Sequence, residues 1–366
     1  MQNIFIFAPH TNEPRWRNGR RARFRCECCE ACRFESCSGH TDKEVDTWKS
    51  IICLFSIKNL HRICTEEIMK SFVKWAGGKT RLLKEIEQRL PSDFNQWENV
   101  TYVEPFVGGG SVLFYMLKNH KNISKAIIND INPVLIRSYQ CIKEDPKGII
   151  ESLDKLRQDY EKIINEKARE EFYYRVRETF NSMIFEDIQK VAFFIFLNHT
   201  CFNGLYRENR KGEFNVPHGR YKNPSIFRRD NLLELHNVLQ KVEIYCGDFS
   251  EIFTLLKSEP TFVYLDPPYR PINKGMMMFT QYDKSGFSDF DQKRLKEICD
   301  ILSNKGHKIM LSNSDSYEDN ISFFETLYNE GYKIDRVNVT RMINPYNSSN
   351  RKPQEIIITN YPFNKI

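Results

Sequence analysis

One tetrapeptide combines a carboxylate, two prolines and an aromatic ring directly after an apolar run. It is Asp266-Pro267-Pro268-Tyr269, and residues 261–265 before it have the composition of a buried strand. Two consecutive prolines remove backbone donors and hold the chain in an extended turn. One carboxylate, one free carbonyl and one ring would then stand at the edge of a sheet. They suit a planar amine such as a nucleobase exocyclic amine, although Asp-Pro also begins ordinary turns.

A glycine-rich turn precedes a second acidic residue. The strand-like run 101–106 leads into 108–110, which are all glycine, and a helical pattern begins near Val112. The next strand-like run, 125–129, ends at Asp130. This is the layout of a doubly wound nucleotide-binding unit, in which the acid binds ribose hydroxyls. Because the glycines are consecutive, a nucleoside such as S-adenosylmethionine is favoured over a pyrophosphate; an ordinary glycine turn is the alternative.

The string Gly78-Lys79-Thr80 resembles the end of a Walker A loop. That motif needs a glycine five positions before Gly78, and Val73 stands there, so no phosphate-binding loop is supported. Lys79 and Trp75 can instead belong to an adenosine pocket. A solvated lysine and a core tryptophan are the simpler interpretation of these two residues by themselves.

A long basic stretch, 206–222, interleaves arginine and lysine with aromatic residues and asparagines. Cations contact phosphates, arginine reads guanine, asparagine reads adenine, and rings insert between bases. Long loops in compact domains usually carry a function, which favours nucleic-acid binding over a merely solvated loop.

The elements that must position these groups alternate between helix and strand. Helical patterns cover 82–90, most of 146–200, and 231–239, and strand-like runs cover 242–246, 261–265, 308–313 and 355–360. Such alternation predicts an α/β sheet with the functional groups at its edge.

Composition sets broad limits on the class of protein. The chain has 366 residues, 40% hydrophobic content and a net charge of +6, enough for one large core or two ordinary ones and compatible with a polyanionic partner. A membrane-spanning helix needs roughly 20 apolar residues, and the longest runs here are much shorter. Together with the lack of a secretory signal pattern, this predicts a cytoplasmic protein.

The first 68 residues differ from the rest of the chain. They hold seven of the 11 cysteines, crowded around 26–37, without the two separated ligand pairs of a typical zinc module. The stretches 15–25 and 33–40 also lack an amphipathic period. We therefore expect 1–68 to be an atypical cysteine-rich extension. The hypothesis is that it is translated upstream DNA, with synthesis starting at Met69, and zinc binding is the alternative.

Seven motifs occur together and in order over residues 69–361, and their combination resembles the DNA adenine-N6 methyltransferase family (the Dam-like, D12 class). They are Lys74-Trp75-Ala76-Gly77-Gly78-Lys79, Glu104-Pro105-Phe106-Val107-Gly108-Gly109-Gly110-Ser111, Asp130-Ile131-Asn132, Asn203-Gly204-Leu205-Tyr206-Arg207, Gly212-Glu213-Phe214-Asn215-Val216-Pro217, Gly219-Arg220-Tyr221-Lys222 and Asp266-Pro267-Pro268-Tyr269.

The resemblance implies a Rossmann-like S-adenosylmethionine-dependent methyltransferase sheet with an inserted helical DNA-recognition domain. The catalytic domain would comprise 69–140 and 241–366, and the recognition domain 141–240. The S-adenosylmethionine site would comprise Trp75, Lys79, Phe106, Gly108, Gly110, Asp130, Asp248 and Asp266. Double-stranded DNA would contact Phe202, Asn203, Leu205, Arg207, Arg220, Tyr221 and Lys222. Arg207 would be the leading guanine reader, whereas His218 stands where relatives usually carry Phe or Tyr.

The implied reaction is methyl transfer to N6 of adenine in a short palindrome, GATC. The target base would be flipped out of the duplex and stacked on Tyr269. The Asp266 carboxylate and the Pro267 carbonyl would accept the two N6 hydrogens, and no metal would be needed. N4-cytosine methylation is the nearest alternative; a catalytically inactive DNA-binding module and an RNA or protein methyltransferase are further ones. A cognate restriction endonuclease is a candidate partner.

Overall fold

The computed structural model describes residues 69–183, 187–257, 260–270, 286–318, 321–337 and 355–363. The cysteine-rich extension, with its zinc and start-site hypotheses, lies outside these residues. The helices are α1 (Leu83–Glu87), α2 (Ser111–Asn119), α3 (Pro133–Glu144), α4 (Pro146–Glu161), α5 (Glu166–Ser182), α6 (Ile188–Thr200), α7 (Arg229–Leu239), α8 (Asp289–Asn304) and α9 (Phe323–Leu327). The strands are β1 (Val100–Glu104), β2 (Ile123–Asp130), β3 (Val242–Cys246), β4 (Thr261–Leu265), β5 (Lys308–Ser314), β6 (Tyr317–Glu318), β7 (Ile321–Ser322), β8 (Lys333–Val337) and β9 (Glu355–Thr359).

Seven of these strands form one sheet in the order β3-β2-β1-β4-β5-β9-β8. The first five are parallel, and β9 runs antiparallel to both of its neighbours. The strand order reverses between β1 and β4. Ligands of open α/β sheets bind at such a reversal, outside the carboxyl ends of the strands. The predicted α/β, Rossmann-like fold class is confirmed.

Apolar residues cover both faces of the sheet because neighbouring strand residues point to opposite sides. Tyr102 and Phe262 belong to the larger core, which also includes the helices inserted between β2 and β3. Val103 and Val263 belong to the second core, under α8 and α9. A sheet buried on both faces leaves only its edges and strand ends for binding a ligand.

The insertion between β2 and β3 is helical and begins with strong local signals. Helix α3 starts with Pro133, and the Asn132 side chain accepts a hydrogen bond from Leu135 N at 2.9 Å. Helix α4 starts in the same way, with Pro146 after the capping Asp145. Proline at the first helical position and Asn or Asp before it are typical helix starts.

The division into a catalytic and a recognition domain stays a prediction. Its proposed boundary at 140/141 falls inside α3, and the insertion shares its core with the sheet. Helices α3 and α8 and strand β8 were not anticipated from the sequence. Among the described residues, no helix combines the length and the apolarity needed to cross a membrane.

Candidate active site

A cavity of about 720 Å³ opens at the carboxyl edge of the sheet, where the strand order reverses. It is lined by ends of β1, β2 and β4, by the loop after β3, and by residues 75–82 before α1. Nine predicted site residues line it: Trp75, Lys79, Phe106, Gly108, Asp130, Asp248, Asp266, Pro267 and Tyr269. The sheet thus brings together residues from four separate motifs.

The Asp266 carboxylate has two charged or polar partners. Its Oδ2 lies 2.7 Å from Lys79 Nζ, and its Oδ1 accepts a hydrogen bond from Ser312 Oγ at 3.1 Å. Lys79 Nζ also donates to the Gly77 carbonyl at 2.6 Å. A carboxylate offers about four lone-pair positions, so these partners leave room for an amine hydrogen.

Burial raises the pKa of Asp266 above its ordinary value, while Lys79 and Ser312 act in the opposite direction. The side chain is 17% exposed, so a ligand in the cavity can reach it. Desolvation favours the neutral acid, and a neighbouring cation favours the carboxylate. Lys79 is therefore the group that helps to keep Asp266 ionised.

The aromatic residue of the tetrapeptide is held on two sides. Lys79 Nζ lies 4.5 Å from the centre of the Tyr269 ring, and the Tyr269 hydroxyl donates to Glu355 Oε2 at 3.0 Å. Both prolines line the cavity, and the Pro268 carbonyl also accepts a hydrogen bond from Gln292 Nε2 at 3.4 Å.

Asp130 is fixed by the glycine-rich turn beside it. Its carboxylate accepts from Gly108 N at 3.0 Å and from Asn132 N at 2.9 Å. Gly108 has a φ of +48°, and a Cβ there would lie 2.9 Å from Trp75 Cδ1. Only glycine allows this close contact between the turn and the indole without strain.

Gly110 supports the turn from behind, and it does not line the cavity. It precedes α2 with a φ of +73°, and a Cβ there would lie 2.5 Å from the Tyr139 hydroxyl. The same hydroxyl donates to the Gly108 carbonyl at 2.8 Å. Gly110 thus packs against the core at a helix start, and its predicted role in cofactor binding stays a prediction.

Asp248 and three phenylalanines line the far end of the cavity. The rings of Phe106, Phe249 and Phe287 lie 5.2–5.6 Å from one another. Asp248 accepts from Ser250 and from Arg294 Nη2, at 2.6 Å to Oδ1. Burial opposes ionisation, but the hydrogen bonds from Ser250 and Arg294 prevail and lower the pKa of Asp248.

A buried asparagine connects the cavity with the basic loop, which here comprises residues 201–222. Asn198 accepts from Lys74 N at 2.7 Å and donates to the carbonyls of Lys74 and Gly204 at 2.9 and 3.1 Å. One residue further on, Trp75 stacks on Tyr206, with ring centres 5.5 Å apart. Residues 74 and 75 at the cavity are thus in direct contact with the loop through Asn198 and Tyr206.

The basic loop folds back on itself as two paired segments. Bridges link Cys201 with His218 and Glu208 with Phe214. Asn203 N donates to the Tyr221 hydroxyl at 3.0 Å, and Lys74 Nζ lies 4.9 Å from the Tyr221 ring centre. Residues from both ends of the loop are therefore close together in space.

The predicted DNA-contacting residues lie on this loop, mostly in solvent. Phe202 is 51% exposed, and Arg207 is exposed with its Nε donating to Asn215 Oδ1 at 2.7 Å. Arg220 lies 3.5 Å from Glu170, Lys222 is exposed, and Leu205 is half-buried. His218 is buried and its Nε2 bonds the Tyr160 hydroxyl at 2.8 Å, so it supports the loop from inside.

Sequence reasoning missed two carboxyl groups that line the cavity. Glu104 ends β1, is 2% exposed, and accepts from the Tyr102 hydroxyl at 2.7 Å; burial raises its pKa well above the usual range. Glu355 begins β9. Glu104 stands inside a recognised motif and could have been found there, whereas the position of Glu355 depends on the direction of β9.

Comparison with known proteins identifies a family. The model of the D12 class N6 adenine-specific DNA methyltransferases matches residues 75–343. A Type II methyltransferase, M.MjaIII, of Methanocaldococcus jannaschii is 47% identical over 80% of this chain and 99% of its own length. A Type II methyltransferase, M1.LlaDCHI, of Lactococcus lactis is 35% identical over 80% of this chain and 96% of its own. A DNA adenine methylase of Vibrio cholerae is 32% identical over 79% and 95%.

The matched region contains the basic loop and the cavity wall from Trp75 to Asp291, whereas Glu355, which also lines the cavity, lies beyond it. The matched region also contains the acidic tetrapeptide at the end of β4. This chain belongs to the D12 class of N6 adenine-specific DNA methyltransferases.

Proposed function

We propose that this protein methylates N6 of adenine within the duplex sequence GATC, with the tetrapeptide 266–269 as its catalytic centre. The observation that carries the proposal is the placement of the Asp266 carboxylate and Pro267 in the cavity that Asp130 and Asp248 also line. Membership of the family supports adenine over the N4-cytosine alternative. The name of one relative, DNA adenine methylase, supports the Dam-like site.

The cavity suits S-adenosylmethionine, the methyl donor of this family. Its wall combines carboxylates at the ends of adjacent strands with a cluster of three phenylalanine rings. Asp130 would hold ribose hydroxyls, and the rings with Asp248 would hold the purine. Trp75, Lys79, Phe106 and Gly108 would complete the wall. When bound, this cofactor supplies a methyl group on a positively charged sulfur.

The residues of the tetrapeptide would act on the target amine. Asp266 and the Pro267 carbonyl would each accept a hydrogen bond from one N6–H group, which turns the nitrogen lone pair out of the plane of the ring. Asp266 would also stabilise the positive charge that develops on nitrogen, an interaction that strengthens in the transition state. Tyr269 would stack on the base after it leaves the duplex, which costs a few kcal/mol.

The basic loop would provide the contacts to DNA. Phe202 would insert into the base stack, and Arg207 would bind a guanine. The hydrogen bond from Arg207 to Asn215 would orient the arginine side chain. Asn203, Leu205, Arg220, Tyr221 and Lys222 would complete the contact surface. The contacts of Asn198 and Trp75 connect this loop to the wall of the cavity, which supports a common scaffold for recognition and chemistry.

A panel of duplexes tests the proposal. The purified full chain is given labelled S-adenosylmethionine and duplexes that contain GATC or a version with one base pair changed. Nucleoside mass analysis should show N6-methyladenine in the GATC duplex and at least about fivefold less in each variant, since a mismatch typically costs about 1–3 kcal/mol. N4-methylcytosine, or equal methylation of every duplex, would overturn the proposal.

A cognate restriction endonuclease is a further proposed partner. It is supported by the printed name Type II methyltransferase of two relatives. Purified fractions of the host should then cut unmethylated GATC duplexes and spare duplexes treated with this protein. If treated and untreated duplexes are cut equally, the proposed restriction endonuclease partner is excluded.

A further inference from the structure

Glu355 reaches the active site although it opens an antiparallel strand near the end of the chain. Its partner in the sheet register is Ser314, the last residue of β5. Because β9 runs opposite to β5, its first residue lies at the carboxyl edge of the parallel strands. Glu355 is 8% exposed and lines the same cavity as Asp266 and Tyr269.

The contact of Glu355 with Tyr269 joins this strand to the tetrapeptide. The Tyr269 hydroxyl donates to Glu355 Oε2 at 3.0 Å, while Lys79 Nζ lies 4.5 Å from the ring centre. Burial, Asp266 and Glu355 raise the pKa of Tyr269 well above its ordinary value. The hydroxyl therefore stays protonated and remains a donor at any working pH.

We propose that Glu355 is a positioning residue that fixes the position of the Tyr269 ring before the target adenine arrives. The inference rests on the proposed function, in which that ring stacks on the base. A change in the first side-chain torsion moves a tyrosine ring as a whole and displaces its hydroxyl. A hydrogen bond at the hydroxyl opposes this movement of the ring, and small misplacements of a reacting group lower rates strongly.

A double-mutant cycle tests the inference with single-turnover methylation of a GATC duplex. The variants are Glu355→Ala, Glu355→Gln, Tyr269→Phe and the Tyr269→Phe/Glu355→Ala pair. Glu355→Ala should lower the rate about tenfold or more, the effect of losing a hydrogen bond to a charged group. Glu355→Gln should stay within about fivefold of the wild type, because its side-chain oxygen still accepts. The pair should be no slower than either single variant, because both remove one interaction.

Two further readouts separate positioning from a general loss of structure. Binding of S-adenosylmethionine should stay within about twofold in all variants, since Glu355 acts through Tyr269. The control is Thr359→Val, which removes a hydrogen bond to the Tyr361 carbonyl at the other end of β9. It should lower the melting temperature and leave the methylation rate unchanged.

The possible results are distinct. Additive losses in the pair, a Glu355→Ala rate equal to wild type, or a Glu355→Gln rate as low as that of Glu355→Ala would overturn the role of Glu355 alone. If Glu355→Ala does not fold, the cycle uses Glu355→Gln and Tyr269→Phe instead. A loss of rate caused by Glu355→Gln that is equally large in the Tyr269→Phe background would then overturn the role of Glu355. A wild-type protein that methylates no DNA overturns the proposed function as well.

Discussion

Lys79 and Asp266 form an ion pair with 2.7 Å between Nζ and Oδ2, and both side chains face the wall of the active-site cavity. The lysine comes from the segment before α1, and the aspartate follows β4. Burial alone would favour the neutral acid, which is a poor acceptor for an amine hydrogen. This pair therefore connects the cofactor motif with the charge state of the proposed catalytic residue.

Replacing Lys79 by Met should change the pH dependence of methylation. Burial already raises the pKa of Asp266, and Lys79 opposes that shift, so its removal raises the pKa further. Since the ionised form is the acceptor, the acid limb of the single-turnover rate profile should move to higher pH. The control is Lys84→Met, an exposed lysine on α1. An acid limb at the wild-type pH would contradict the role of Lys79.

The same pKa shift predicts a change in stability with pH. The folded state binds the Asp266 proton more tightly than the unfolded state, so this group favours folding at low pH. Its contribution is lost as pH rises from the ordinary range of aspartate through the raised pKa. The Lys79→Met variant should lose more stability over this window than wild type, as measured by the midpoint of urea unfolding at each pH. A smaller loss of stability in Lys79→Met than in wild type would show that Lys79 does not lower the pKa of Asp266.

Gly110 should not tolerate a side chain. Its φ of +73° costs an alanine roughly 1–2 kcal/mol, and the Cβ would lie 2.5 Å from the Tyr139 hydroxyl. Such overpacking adds about 1–3 kcal/mol. The matched control is Gly306→Ala, with a φ of +87° and no atom within 4 Å of its Cβ. Urea unfolding should show the larger loss for Gly110→Ala; equal losses would show that the contact with Tyr139 is unimportant.

The stack of Trp75 on Tyr206 should matter more for DNA than for cofactor. Tyr206→Leu removes the ring that stacks on Trp75, and the position of the neighbouring loop residues becomes less defined. An aromatic pair is worth about 0.5–1.5 kcal/mol, so duplex affinity by fluorescence anisotropy should fall about twofold to tenfold. Tyr206→Phe keeps the stack and loses the hydrogen bond to Glu208. Equal losses in the two variants would assign the effect to the hydroxyl.

Arg207 and Arg210 should differ in what they contribute to DNA recognition. Both are exposed on the basic loop. Arg207→Ala should relax discrimination at one guanine by about 1–3 kcal/mol if Arg207 reads that base, as proposed; its Nε donates to Asn215 Oδ1, which holds the side chain. Arg210→Ala should weaken binding to all duplexes by the same factor, as expected for a side chain that contacts a phosphate. Unchanged discrimination in Arg207→Ala, measured on the duplex panel, would remove it from base reading.

Much of the sheet could be predicted because its strands are local apolar runs. Residues 242–246 and 261–265 were predicted at the positions where β3 and β4 lie. The acids after them follow from the same runs, since an acid that ends a parallel strand must lie at the carboxyl edge. The predicted helix starts near Val112 and Asn231 lie within two residues of the observed starts of α2 and α7, because these helices also have local apolar patterns.

Other features depend on contacts between distant residues. The direction of β9 is set by pairing with β5 and β8, so nothing in residues 355–360 alone could place Glu355 beside Tyr269. Gly110 was assigned to the cofactor because it belongs to a glycine run. Only the packing of Tyr139 from α3 shows that it faces the core.

The most direct measurement of the central claim is methyl transfer by the Asp266→Ala variant. The purified full chain and the variant are given tritiated S-adenosylmethionine and a GATC duplex, and cofactor binding is measured in parallel. The wild type should label adenine at N6, while Asp266→Ala should bind the cofactor and transfer the label about a hundredfold to a thousandfold more slowly. A variant that transfers label within about tenfold of the wild-type rate would contradict the account, because another group would then hold the amine.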